Sequence, residues 1–112
     1  MEIPMFRGDT KKLKFQRVST DGTTILERAE KVFFTVKKNT STKDVLIQKT
    51  ITDMSFDEEG WYHFRIESDE TDDLAPGSYV FDVQVNDKNS KQTVCFGTLT
   101  IKPEVTFVSN EV

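Results

Sequence analysis

The sequence predicts an all-β fold, an antiparallel β-sandwich of about seven strands with one short helical turn, on three observations. Strand-like runs recur at short spacing with turn residues between them, and no segment keeps a 3.6-residue apolar period. Leu74-Ala75-Pro76-Gly77-Ser78-Tyr79 makes a tight turn, since Pro presets φ and Gly tolerates positive φ, and it leads into the alternating run Val80 to Val85. The Leu before this turn and the Tyr after it fit the tyrosine corner of immunoglobulin-like sandwiches, in which the phenol oxygen bonds backbone a few residues upstream. Leu74, Pro76, Gly77 and Tyr79 are thus the expected corner residues.

The elements follow in order. Lys12 to Val18 reads as a strand with Leu13 and Phe15 on one face, Asp21-Gly22 as a hairpin turn, and Thr24 to Leu26 as a short answering strand. Lys31 to Lys38 is the clearest central strand, with Val32, Phe34 and Val36 pointing one way. After the polar loop Asn39 to Lys43, Val45 to Thr52 gives a strand with Val45, Ile47 and Ile51 in phase; Lys49 interrupts that face and marks an edge. Asp57-Glu58-Glu59-Gly60 turns the chain into Trp61 to Glu67, with Tyr62, Phe64 and Ile66 in the core. Ser68 to Leu74 holds one helical turn capped by Ser68 or Asp69. After the corner, Tyr79, Phe81, Val83 and Val85 line a core face, and Asn86 to Ser90 form a hairpin tip. The last strand, Gln92 to Ile101, switches parity between Val94 with Phe96 and Leu99 with Ile101, which places a bulge at Gly97. Pro103 ends it.

With 112 residues the chain suits one domain, assigned to 1–103, followed by a loosely held C-terminal tail, 104–112. The net charge of -4 arises from acids and bases mixed along the chain, the pattern of a solvated surface. Nucleic acid is not an expected partner, because the only local basic excess, Lys11, Lys12, Lys14 and Arg17, is explained by alternation along a strand. A lone Cys95 excludes an intrachain disulfide, and the N-terminus lacks the basic and apolar regions of a signal peptide. No apolar run approaches the roughly 20 residues needed to span a bilayer. The chain is expected to be made in a cytoplasm, which does not forbid later assembly into a particle, and no membrane partner is expected.

Catalytic constellations are lacking. One His and one Cys build no zinc cage, His63 sits on the polar phase of its strand without a marked nucleophile, and Cys95 reads as a small buried hydrophobe. No Gly-rich phosphate loop or Ser elbow occurs, so no enzyme activity and no cofactor are expected. The acidic stretches Asp57 to Glu59 and Asp69 to Asp73 match no calcium loop and read as a turn and a helix cap. Arg7-Gly8-Asp9 reads as a turn before a strand and Asn39-Thr40-Ser41 as a polar loop, rather than as an integrin ligand and a glycosylation site.

Phe33 and Val80 oppose the core faces of their strands, and Trp61 leads the polar phase of its own. A sandwich pushes such residues outward, which makes Phe33, Trp61 and Val80 the candidates for a contact patch unless the tail with Val105 and Phe107 folds over them.

The order Phe6-Arg7-Gly8-Asp9-Thr10, Asp21-Gly22, Val32-Phe33-Phe34-Thr35-Val36-Lys37, Leu74 to Tyr79 and Gly97-Thr98-Leu99-Thr100-Ile101-Lys102-Pro103 resembles small phage and prophage tail-region proteins. The nearest named likeness is the N-terminal domain of phage upper-baseplate proteins, without the stalk or receptor-binding region that follows there. The resemblance implies a non-enzymatic structural module of a virion that binds other tail or baseplate subunits, or itself as a homo-oligomer. The alternative is a carbohydrate-binding module stacking sugars on Trp61, Tyr62 or Phe33.

Overall fold

The computed structural model describes residues 1–18, 22, 28–87 and 90–104. Its strands are β1 (Glu2–Phe6), β2 (Lys11–Gln16), β3 (Lys31–Lys37), β4 (Ile47–Thr50), β5 (Ser55–Phe56), β6 (Trp61–Ile66), β7 (Gly77–Asp87) and β8 (Ser90–Lys102). One helical turn, α1 (Ser68–Thr71), precedes the corner, and a 3₁₀ turn spans Ile51–Asp53. The strands form two sheets, one five-stranded in the order β1-β8-β7-β3-β4 and one three-stranded in the order β2-β6-β5. The fold is all-β.

Period-2 alternation decides which faces meet. Val32, Phe34 and Val36 of β3, and Tyr79, Phe81, Val83 and Val85 of β7, are buried beneath the five-stranded sheet; Tyr62, Phe64 and Ile66 of β6 meet them from the other. Aromatic rings join the two inner faces, Phe34 lying 4.8 Å from Phe64, and within the three-stranded sheet Phe15 of β2 stacks on Tyr62 at 4.6 Å. The Tyr62 hydroxyl accepts the buried Ala29 amide at 2.9 Å, so a core strand of the small sheet holds the chain entering β3 of the large one.

The corner forms at the expected residues. The Tyr79 hydroxyl donates to the Ala75 carbonyl at 2.6 Å, Leu74 packs against the core, and Gly77 takes φ +148°, a conformation that a side chain disfavours. Lys49 does mark an edge, since β4 is an outer strand. Its ammonium, directed to the inner side, is neutralised by Glu70 at 2.6 Å.

Several expectations need correction. β1 is an additional strand, and it runs parallel to β8, so the large sheet is mixed rather than wholly antiparallel. The strand expected over Val45 to Thr52 is shorter: Val45 is exposed, and the bond from the Thr50 amide to Asp53 Oδ2 at 3.0 Å turns Ile51–Asp53 out of the sheet. Glu67, not Ser68 or Asp69, occupies the cap of α1, where its amide donates to Glu70 Oε1 at 2.7 Å. The bulge lies at Val94 rather than Gly97, because Val83 faces Cys95 while Gln84 faces Thr93. Gly97 serves close approach instead: a Cβ there would strike the Met1 carbonyl oxygen and come within 3.1 Å of the Phe81 ring. The expected strand over Thr24 to Leu26 and the expected cover by Val105 and Phe107 lie outside the described residues.

Glu104, assigned to the tail, is tied down by Arg7, whose guanidinium donates to its two carboxylate oxygens at 3.0 and 2.7 Å. The pairing holds the Glu104 carboxyl below, and the Arg7 guanidinium above, their ordinary values, the mutual hydrogen bond being the main cause. Arg7-Gly8-Asp9 is therefore a structural turn, with the Gly8 amide donating to the buried Thr71 hydroxyl at 2.8 Å.

Candidate protein-interaction face

The relocated bulge changes the surface. Counting back from the buried Ile101 and Leu99, the inward positions of β8 are Gly97 and Cys95, so Phe96 points out; it is 73% exposed. The sequence pattern sets Phe96 in phase with Val94 and does not single it out as an outward residue. The signal was present in the Leu99 and Ile101 parity, which reaches back to Cys95 if the irregularity is set before that residue.

Phe96 shares the outer face of the five-stranded sheet with two of the three candidates. Asp82 stands between Phe96 and Thr35 in one cross-strand row, Val80 between Thr98 and Lys37 in the next, and Phe33 lies opposite Gln84 farther along β3. Phe33 and Val80 are half-buried by their sheet neighbours. Thr35, Lys37, Thr40, Val80, Asp82 and Phe96 border a shallow groove of about 280 Å³ on this face.

Trp61 is elsewhere. It faces outward from β6 in the other sheet, is half-buried, and lies under the Lys14 ammonium at 4.7 Å from the ring centre. The structure thus brings Phe33 and Val80 onto one face and separates Trp61 from them. Tyr62, named with them as a sugar platform, is a core residue at 1% exposure.

A larger groove, about 570 Å³, opens where β5 has ended beside β6, bordered by Lys12, Lys49, Met54, Phe64, Arg65 and Glu67. Its charges answer one another: Arg65 pairs with Glu67 at 2.9 Å and Lys49 with Glu70. His63 Nε2 lies 2.7 Å from Asp57 Oδ2, and Asp57 Oδ1 accepts the Glu59 and Trp61 amides at 2.9 and 3.0 Å. The His63 bond first, and the Trp61 amide next, hold the Asp57 carboxyl below the usual carboxylate range. Asp57 thereby organises the turn into β6, and Asn39 does the same for its loop by accepting the Ser41 and Thr42 amides.

Cys95 is half-buried against the core, and burial pushes its thiol above the ordinary value, the opposite of an activated nucleophile. Among the described residues no group of three or more His, Cys, Asp and Glu side chains gathers in a metal-binding arrangement. No helix among them is long and apolar enough to cross a membrane.

No protein-family model matches this chain, and no curated protein matches it either. Chemistry at the surface is therefore the guide to function.

Proposed function

We propose that this chain is a non-enzymatic, immunoglobulin-like interaction module of a phage or prophage tail or baseplate, which binds other virion subunits through the outer face of its five-stranded sheet. The observation that carries the interaction reading is Phe96 at 73% exposure, on a face it shares with Val80, Phe33 and threonines and with Asp82 as its cross-strand neighbour. An exposed aromatic anchor is what protein interfaces use at their centre. The immunoglobulin-like part is supported by the two sheet orders and by the Tyr79 bond to Ala75. The tail setting rests on the ordered resemblance from Phe6 to Pro103.

Contact through a face is favoured over strand addition, because the edges of the described sheets are blunted. Met1 O accepts the Thr98 amide and the Arg7 amide donates to Lys102 O, so by alternation the odd residues of β1 bond β8 and Pro4 falls where its missing N–H weakens the free edge. β4 carries the inward Lys49, β2 the pair Lys12 and Lys14, and β5 has only two residues. A carbohydrate platform has less support, since Tyr62 is buried and Trp61 lies under Lys14 on the other sheet from Phe33.

Density-gradient isolation of phage particles from cells carrying the tagged chain tests the proposal. The chain should co-sediment with tail-bearing particles, and Phe96→Ser should release it. A parental chain found only as free protein beside intact particles overturns the reading.

A further inference from the structure

Lys37 and Asp82 sit on the same outer face as Phe96 and Val80, in adjacent cross-strand rows: Lys37 stands opposite Val80, and Asp82 opposite Phe96. Neither has an ion-pair partner among the described residues, whereas Arg7, Arg17, Lys49, His63 and Arg65 all do. Lys37 on β3 and Asp82 on the neighbouring β7 are diagonal neighbours, one base and one acid, and both lie on the β3 side of Phe96. A surface of that kind is complementary to itself under a two-fold rotation, which brings Lys37 of one copy to Asp82 of the other and repeats the contact symmetrically.

We propose that the outer face of the five-stranded sheet binds a second copy of this chain as an isologous dimer, with Phe96 as the apolar anchor and two Lys37–Asp82 bridges setting the register. The inference rests on the reading of this face as an interaction surface and names its occupant. Sheet faces of this type pack about 10 Å apart with their side chains interdigitated, and the groove beside Phe96 gives the opposing ring a place to enter. Five strands spaced about 4.8 Å apart over the length of β3 give a face of roughly 500 Å² in projection, below the ~800 Å² per partner of a standard interface. The dimer is accordingly a weak one that assembly can exchange for other subunits.

Sedimentation velocity on the full chain, over a concentration series from micromolar to submillimolar, tests this. A monomer–dimer equilibrium is expected, and Phe96→Ser should remove it. Lys37→Asp and Asp82→Lys should each weaken dimerisation about tenfold. The double variant Lys37→Asp with Asp82→Lys should recover most of that loss, because reversing both charges rebuilds both bridges in a two-fold pair. Circular dichroism melting of each variant establishes that it is folded. A chain that stays monomeric throughout, or a dimer indifferent to Phe96→Ser and to the charge exchange, overturns the inference. Either result leaves the virion reading standing if the chain still co-sediments with particles through Phe96, and a charge-dependent dimer absent from particles overturns only the virion reading.

Discussion

The outer faces of the two sheets solve the same problem differently. On the three-stranded sheet Lys12 lies opposite Arg65, two like charges directly across from each other, and Lys14 lies opposite His63. Such pairs cost stability unless they are answered. Glu67 answers Arg65, Asp57 bonds His63, and Lys14 leans over Trp61. The five-stranded sheet has no such closure: Phe96 is exposed, Val80 and Phe33 are half-covered, and Lys37 and Asp82 are unpaired among the described residues. A face whose groups satisfy one another is finished in water. On the other face water solvates the two charges, and the exposed Phe96 is the group that gains from being covered, in line with the contact proposed above.

Gly97→Val breaks the comparison most strongly, because it damages one sheet and spares the other. The new side chain meets backbone at Met1 and the ring of Phe81, and a carbonyl cannot swing aside as a flexible side chain does. The expected cost is about 1–3 kcal/mol in urea unfolding. Hydrogen exchange should show lost protection in β1 and its partner residues on β8, with β2 and β6 unchanged. Full protection of β1 in the variant would remove close approach as the reason for this glycine.

The two buried tyrosines sharpen the contrast at smaller scale. Tyr62→Phe strands the Ala29 amide, which is 4% exposed, and should cost about 1–3 kcal/mol because water cannot replace the lost oxygen. Tyr79→Phe frees the carbonyl of the exposed Ala75, which water can reach, and should cost about 1 kcal/mol. Equal losses in parallel urea titrations would mean that the corner bond is as shielded as the one between the sheets.

Local pattern carried much of this architecture and failed where the contact was distant. The alternation in β3, β6 and β7 and the corner at Leu74 to Tyr79 were legible because each is written within a few consecutive residues. β1 was not, because Glu2 pairs with Thr98 across nearly the whole chain and Pro4 argues against a strand. Missing β1 had a second consequence. Without a strand pressed against Gly97, that glycine reads as a bulge, the parity switch of β8 falls there instead of at Val94, and Phe96 is not singled out as outward. Phe33 and Val80 remained legible as outward apolar residues because their strands have unbroken alternation, while Trp61 carried the same signature but faces the other side under Lys14.

The smallest expected effect separates the faces by pH. The Asp57 carboxyl is held below its ordinary value chiefly by the bond with His63 and next by the Trp61 amide, so its charged form is favoured in the folded chain. A carboxyl depressed on folding contributes stability that is fully present above its unfolded value, about 3.9, and is lost as pH falls through the lower folded value. Asp57→Asn keeps an oxygen that can accept the Glu59 and Trp61 amides but removes the charge facing His63. The variant should melt slightly below the parent at neutral pH, and the gap should close once the medium is acid enough to protonate the carboxyl in both folded and unfolded chains. Phe96→Ser, altered on the opposite face, should hold a constant offset from the parent over the same range, measured at concentrations where both are monomeric. An Asp57→Asn gap that persists undiminished into strong acid would show that the carboxylate charge is not its cause, and that the charge balance ascribed to the three-stranded face adds nothing to its stability.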